Sequence, residues 1–193
     1  MASENQQFRS EQVRQAILEA AMKIGMEEGF EALSVRKLSN QMRYTTGVIY
    51  HHFQDKQEII DLIEQRETNK IAGMIQSILR EQKGILYNIA TVFRRMMRLA
   101  YEEPEKYNLI VLHKYSRRKD TTYPWIAHIS TGLQKAMQAG IIKKIDADKA
   151  AFAIWSSFLG FNLLISRHQG MGLDEAEALF EVQLQIILKG IMI

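Results

Sequence analysis

Residues 34–53 read Ser-Val-Arg-Lys-Leu-Ser-Asn-Gln-Met-Arg-Tyr-Thr-Thr-Gly-Val-Ile-Tyr-His-His-Phe, and this stretch decides the fold. Val35, Leu38 and Met42 recur at helical spacing, which predicts a short amphipathic helix with the Ser34 oxygen as its N-cap. A second apolar stripe, Ile49 and Phe53, follows a break at Arg43 and Tyr44, and Thr45 or Thr46 is suited to cap the helix that carries it. The first turn of that second helix holds Thr45, Thr46, Gly47 and Val48, which are small or β-branched and leave its end free to approach a partner closely. Two short helices across a tight break form a helix-turn-helix. Its geometry suits a DNA major groove, where the N-terminal residues of the second helix meet base edges and flanking hydroxyl and basic groups hold phosphates. Arg36, Lys37, Arg43 and Lys56 surround the unit, with Asp55 the one acidic residue among them.

At these residues the sequence resembles the tetracycline-repressor (TetR) family. The resemblance covers about the first third of the chain, from ILEAAMKIGMEEGFEALSV through SVRKLSNQM and TTGVIYHHF to DKQEIIDLI. It is carried by an ordered set: Ala20 and Ala21, Gly29-Phe30, Ser34-Val35-Arg36, Gly47, Tyr50-His51, Phe53, and Lys56 with Glu58. The chain departs from the family at Arg43, where glycine usually occupies the inter-helix turn because a left-handed φ costs it nothing. Arg43 therefore either takes up that strain or shifts the turn.

The resemblance implies DNA contacts from Ser34, Arg36, Arg43, Tyr44, Thr45, Thr46, Gly47, Val48, Tyr50, His51 and Lys56. Tyr50 and His51 are expected against phosphate; the alternative is that the Tyr50 ring packs beneath the head and His51 is merely exposed. Lys56, at the start of a helix, would add its charge to a helix N-terminus. Adjacent histidines such as His51 and His52 do not share one helix face, so a metal site there is not expected.

Composition is compatible with this reading without localising it. A chain of 193 residues with 47% hydrophobic and 24% charged residues and no cysteine can bury a large core without disulfides. The net charge of +3 and pI near 9.0 suit a DNA partner. In residues 1–56, however, acidic residues equal basic ones in number, so only the local balance from Arg36 to Lys56 bears on phosphate binding. Neither a signal-peptide pattern nor an apolar stretch long enough to span a bilayer is apparent, and a soluble, cytoplasmic protein is expected. No cysteine nucleophile, nucleophile elbow, glycine-rich phosphate loop or metal-spaced histidine pair suggests an enzyme or a cofactor.

Helical stripes continue to the end, giving an all-α fold of about nine helices. Residues 1–55 form the expected head, with a first helix from Ser10 to Glu28 preceded by a frayed polar segment; residues 56–193 form the expected second domain. A fourth helix from Asp55 to about Arg80 links the two. Further stripes run from Ile85 to Tyr101, Glu105 to about Ser116, Pro124 to Ala139, Asp148 to His168, and Leu173 or Asp174 onward. In FAIWSSFLGFNLLI and LFEVQLQIILKGIMI the apolar residues exceed one stripe, so a second face needs covering, by the helices' own domain or by a homodimeric four-helix interface.

The family resemblance implies the homodimer, a palindromic operator and a largely apolar effector pocket in the second domain. Phe93, Met96, Met97, Tyr107, Trp125, Trp155, Phe158, Phe161 and Asn162 are its candidate lining, though most aromatics there are expected to be core. Arg94, Arg95, Arg98, Lys114, Arg117, Arg118 and Lys119 tilt the expectation slightly toward an anionic or acyl-bearing effector, or simply toward a solvated basic surface. A ligand-responsive repressor is the expectation; a helical dimeric scaffold that has lost specific DNA recognition is the alternative.

Overall fold

The computed structural model of the chain describes residues 2–81, 83–113, 124–168 and 170–192. Nine α-helices are present among the described residues, with no strand beyond an isolated bridge between Ile142 and Met192. They are α1 (Ala2–Glu28), α2 (Val35–Met42), α3 (Thr46–His52), α4 (Lys56–Arg80), α5 (Ile85–Glu102), α6 (Pro104–Tyr107), α7 (Pro124–Gln138), α8 (Ala147–Arg167) and α9 (Leu173–Ile191).

The head closes around Ile17, Ala21, Ile24, Leu38, Ile49 and Phe53, with Ile59, Ile60 and Ile63 of α4 completing its core. Gly25 permits α1 to end tightly, because a Cβ there would lie 2.5 Å from the Phe30 ring. Gly29 then leaves the helix at φ 84°, a left-handed conformation that glycine adopts without strain. The N-terminal segment differs from expectation: α1 begins at Ala2 instead of Ser10. No glycine or proline lies between Ala2 and Gly25, so nothing interrupts the helical backbone before the core-facing residues.

Asp55 caps α4 by accepting hydrogen bonds from the amides of Gln57 (2.7 Å) and Glu58 (2.9 Å), and the Glu58 carboxylate accepts from Gln54 N at 2.7 Å. The 25-residue α4 thus starts firmly against the head and runs into the second region. There α5, α7, α8 and α9 pack around Phe93, Met97, Trp155, Phe158 and Phe180. Pro104 occupies the first position of α6, where its missing N–H costs nothing.

After Tyr107 the helix widens into a π segment, Asn108–Leu112, that the sequence stripes do not reveal. Leu109 joins the head core, whereas its neighbours Ile110 and Val111 join the second core. His113 follows, with Nδ1 3.0 Å from Oε2 of Glu64 on α4. The expected helix through Ser116 passes beyond the described residues, as do Lys114, Arg117, Arg118 and Lys119.

One helix, Ala147–Arg167, is long and apolar enough by length and composition to cross a membrane, with a mean hydropathy of 1.3, although charged and polar residues interrupt it. Its Ala151, Ile154, Trp155, Phe158 and Ile165 face the core.

Candidate nucleic-acid interface

The turn between α2 and α3 resolves the Arg43 question. Arg43 adopts φ 56°, ψ 36°, the left-handed conformation, and among the described residues it is the only non-glycine with positive φ. The arginine thus takes up the strain of the left-handed turn, about 1–2 kcal/mol. Backbone bonds from Arg43 N to Asn40 O (3.3 Å) and Tyr44 N to Ser39 O (2.9 Å) hold the turn.

From this turn α3 projects with its first residues outward. Thr45, Thr46 and Gly47 are exposed and Val48 is half-buried, while Ile49 and Phe53 anchor the opposite face. Thr45 is the N-cap residue, but its side chain makes no cap hydrogen bond; the helix is started by its backbone carbonyl, which accepts from Val48 N at 3.1 Å. Gly47 is not required by the fold: its φ is ordinary, and the nearest atom to an added Cβ is Thr45 Oγ1 at 3.7 Å. Space beside Gly47 thus lies open to a partner.

Ser34 caps α2 as expected, its Oγ accepting from Lys37 N at 3.1 Å. Tyr50 is 58% exposed and Tyr44 41%, so neither ring packs under the head. His51 is exposed and stands edge-on to His52 at 5.1 Å. Desolvation lowers the His52 pKa, with the neighbouring His51 and Arg14 acting in the same direction.

The basic residues divide into two groups. Lys37 is paired with Glu28 at 2.5 Å, and Lys56 Nζ donates to Leu33 O at 3.2 Å. The N-terminus of α4 is occupied by the Asp55 carboxylate, so the helix-end half of the phosphate expectation at Lys56 is already filled internally. Arg36 and Arg43 are exposed and have no carboxylate partner among the described residues.

Arg14 was not singled out in the sequence, yet its guanidinium lies 4.9 Å from the Phe53 ring centroid and 3.9 Å from Glu58. It fastens α1 to the end of α3. No local pattern links residues 14 and 53, so only the tertiary fold reveals the contact.

In the second region the candidate pocket residues form a packed aromatic array. Phe93 stacks on Phe158 at 3.7 Å, Trp125 on Trp155 at 6.2 Å, and Phe161 meets Phe180 edge-on at 5.7 Å. Met96, Met97, Tyr107, Trp155, Phe158 and Asn162 are buried, Trp125 and Phe161 partly so. Asn162 Nδ2 donates to Tyr107 OH at 3.1 Å, while its buried Oδ1 has no hydrogen-bond partner among the described residues. A separate cleft of about 320 Å³ runs along α4 beside Asp61, Glu64, Gln65, Thr68 and Asn69, away from these residues.

The basic bias of the middle helices is weaker than the sequence suggested. Arg94 bonds Glu181, with Nη2 2.9 Å from Oε2, and Arg98 lies 2.5 Å from Glu177. Two of its arginines are therefore neutralised by α9 and do not argue for an anionic ligand. No group of three or more His, Asp or Glu residues able to hold a metal occurs among the described residues.

Residues 17–63 match the family of bacterial regulatory proteins described as the tetR family. The chain is 26% identical over 138 residues to the transcriptional repressor AcnR of Corynebacterium glutamicum, a match covering 69% of this chain and 66% of that repressor, just under two thirds of its length. Its fold is similar to that of the ketosteroid transcriptional regulator KstR2 of Mycobacterium tuberculosis (TM-score 0.71, 18% identity, 93% of this chain and 95% of the other). It is also similar to AibR, solved in complex with isovaleryl coenzyme A and operator DNA (TM-score 0.69, 20% identity, 90% and 96%). The head is thus similar in sequence to the tetR family of bacterial regulatory proteins, and the all-helical architecture is shared with solved transcriptional regulators along nearly the whole chain.

Proposed function

We propose that this protein is a cytoplasmic, homodimeric transcriptional repressor that binds a palindromic operator and releases it on binding a small, largely apolar effector. The observation that carries the reading is the first turn of α3: Thr45, Thr46 and Gly47 project into open space, flanked by Arg36 and Arg43 without carboxylate partners among the described residues. Thr46, Gly47 and Val48 meet base edges, with Ser34, Arg36, Arg43, Tyr44, Thr45, Tyr50, His51 and Lys56 around the phosphates. Two such heads on a two-fold dimer read two half-sites about one or more helical turns apart. The outward faces of α8 and α9, with Phe152 57%, Leu164 73% and Ile186 68% exposed, favour dimerisation through these helices.

The effector binds among Phe93, Met96, Met97, Tyr107, Trp125, Trp155, Phe158, Phe161 and Asn162, where the unsatisfied Asn162 Oδ1 provides a hydrogen-bond acceptor in apolar surroundings. Binding tilts α4 and changes the spacing of the two recognition helices. Leu109, seated in the head core, and the Glu64–His113 contact are the connections through which the second region moves the head. An effector acts in this way only if it prefers the conformation that does not fit the operator.

A distorted turn at Arg43 would favour the scaffold alternative, and the left-handed Arg43 with its two backbone hydrogen bonds does not support it. An electrophoretic shift with the DNA upstream of its own gene tests the reading. Salt-sensitive, sequence-selective retention is expected; no retention at low salt would leave the scaffold. If a ligand that saturates the second region leaves operator affinity unchanged at fixed salt, the release step fails.

A further inference from the structure

The 25-residue α4 breaks its own apolar pattern at one position. Ile60, Ile63, Glu67, Ile71, Met74 and Ile78 follow one another at spacings of three, four, four, three and four, a single stripe of the helix, and Glu67 is its one charged member. The Glu67 side chain is only 4% exposed. Lys70 Nζ lies 2.7 Å and Arg66 Nε 3.3 Å from the same carboxylate oxygen, Oε1. A carboxylate taken out of water regains its lost hydration only in part from such partners, so a buried ion cluster seats a helix less firmly than apolar side chains of similar size. This weak point falls where α4 passes from one core to the other, because Ile63 lies in the head core and Ile71 packs on the second core.

Gly73 stands six residues further along, less than two turns from Glu67. A Cβ there would meet nothing within 4 Å, so no close approach asks for glycine, and in a helix interior glycine is the less favourable residue. The ends of α4 are fastened by contrast. Asp55 caps its start, Ile59, Ile60 and Ile63 fill the head core, and Ile78 is buried near its end.

The neighbouring connection between the regions is irregular at the same level. The π segment Asn108–Leu112 packs against α4, and His113 just beyond it meets Glu64, one turn before Glu67. Such a widened turn is a recurrent mark of a place where a helix yields.

We propose that α4 is a hinge, bending between Glu67 and Gly73 so that the head and the first half of α4 swing together against the second half. The buried carboxylate keeps the seam between the cores from closing tightly, and the glycine lowers the cost of opening the helix there. The bending stands on these residues alone; its regulatory meaning rests on the switch proposed above.

Amide hydrogen exchange on the full chain, without DNA or effector, tests the hinge. Residues 67–74 should exchange about tenfold faster than residues 59–65 and 76–79, a minimum of protection between two protected flanks. Protection that falls steadily from Ile60 to Arg80, as in a helix fraying from one end, overturns the proposal. Glu67→Met should slow exchange in the middle turns about tenfold, whereas Lys70→Met, which leaves the carboxylate with Arg66 alone, should speed it. Faster exchange in Glu67→Met would mean that the ion cluster holds the turn together, and would also overturn the proposal. Gly73→Ala should slow the same amides about fivefold, and it keeps the test open if circular dichroism shows that Glu67→Met does not fold. Electrophoretic retention of the upstream DNA by the unmodified chain separates the hinge from the switch. A protection minimum in a chain that retains no DNA keeps the hinge and removes its regulatory meaning, whereas retention without a minimum rejects the hinge and leaves the switch.

Discussion

The head and the second region each bury an apolar core but expose different things. Around α3 the head leaves out threonines, a glycine and arginines that its core does not use, while Ile49 and Phe53 hold the helix from behind. In the second region the residues proposed to bind an effector are the same aromatics that fill the core, and what is left outside is an apolar stripe on α8 and α9. Function and stability are therefore separable in the head and entangled in the second region.

The strongest test of that contrast is Phe158→Ala. Phe158 is stacked on Phe93 and almost fully buried, so its loss should cost about 3–5 kcal/mol in urea unfolding. A cost below about 1 kcal/mol, with effector response lost, would mean that Phe158 lines a cavity and is separable after all. Leu109→Ala comes next, with an expected loss of about 2–4 kcal/mol. Because Leu109 joins the head core from the second region, its removal should also reduce the shift in operator affinity that effector produces. An unchanged shift would show that the regions communicate elsewhere.

Gly47→Ala should move two measurements in opposite directions. The fold has room for the methyl, and alanine favours the helix, so thermal stability should hold or rise by up to about 1 kcal/mol. Operator affinity, read by fluorescence anisotropy, should fall by about 1–3 kcal/mol if this turn meets base edges. A loss of both would make Gly47 structural. Arg43→Gly should relieve left-handed strain while adding unfolded-state freedom, leaving stability within about 1 kcal/mol. Its salt dependence of binding should flatten by about one phosphate contact, and an unchanged slope would remove Arg43 from the interface.

The smallest effect concerns the α5–α9 clasp. Hydrogen bonding from Arg94 lowers the Glu181 pKa below the ordinary carboxylate value despite partial burial. A depressed folded pKa gives stability that is fully present above the unfolded value, about 4.3, and disappears as pH falls through the folded one. Glu181→Gln should therefore cost about 0–1 kcal/mol at neutral pH, because the pair is partly solvent-exposed, and nothing in strong acid. A pH-independent difference would assign the effect to packing.

Much of this architecture was legible in the sequence because short-range signals settle it. Glycines and prolines at residues 29, 84, 104 and 124 punctuate helices, and Asp55 caps α4. The exposed turn between α2 and α3 was legible for the same reason, since its residues lie within one local motif. What stayed hidden depends on distant partners: Lys37 with Glu28, Lys56 with Leu33, and Arg94 with Glu181. Each cation in isolation looks available, and only packing decides which is already engaged. The aromatic array has the converse difficulty, because a stripe of apolar residues has the same sequence pattern whether it faces a core or a ligand.

The π segment at Asn108–Leu112 has a mechanical consequence. A π turn holds about one residue more than an α turn, so tightening it to α pitch would rotate all that follows by about 100° about the helix axis. His113 would swing away from Glu64, and Leu109 and Ile110 could no longer occupy their two cores together. Deletion of a single residue within the segment would therefore separate His113 from Glu64 and unseat Leu109, while the packing of α5 and Ile71 would still hold the second region on α4.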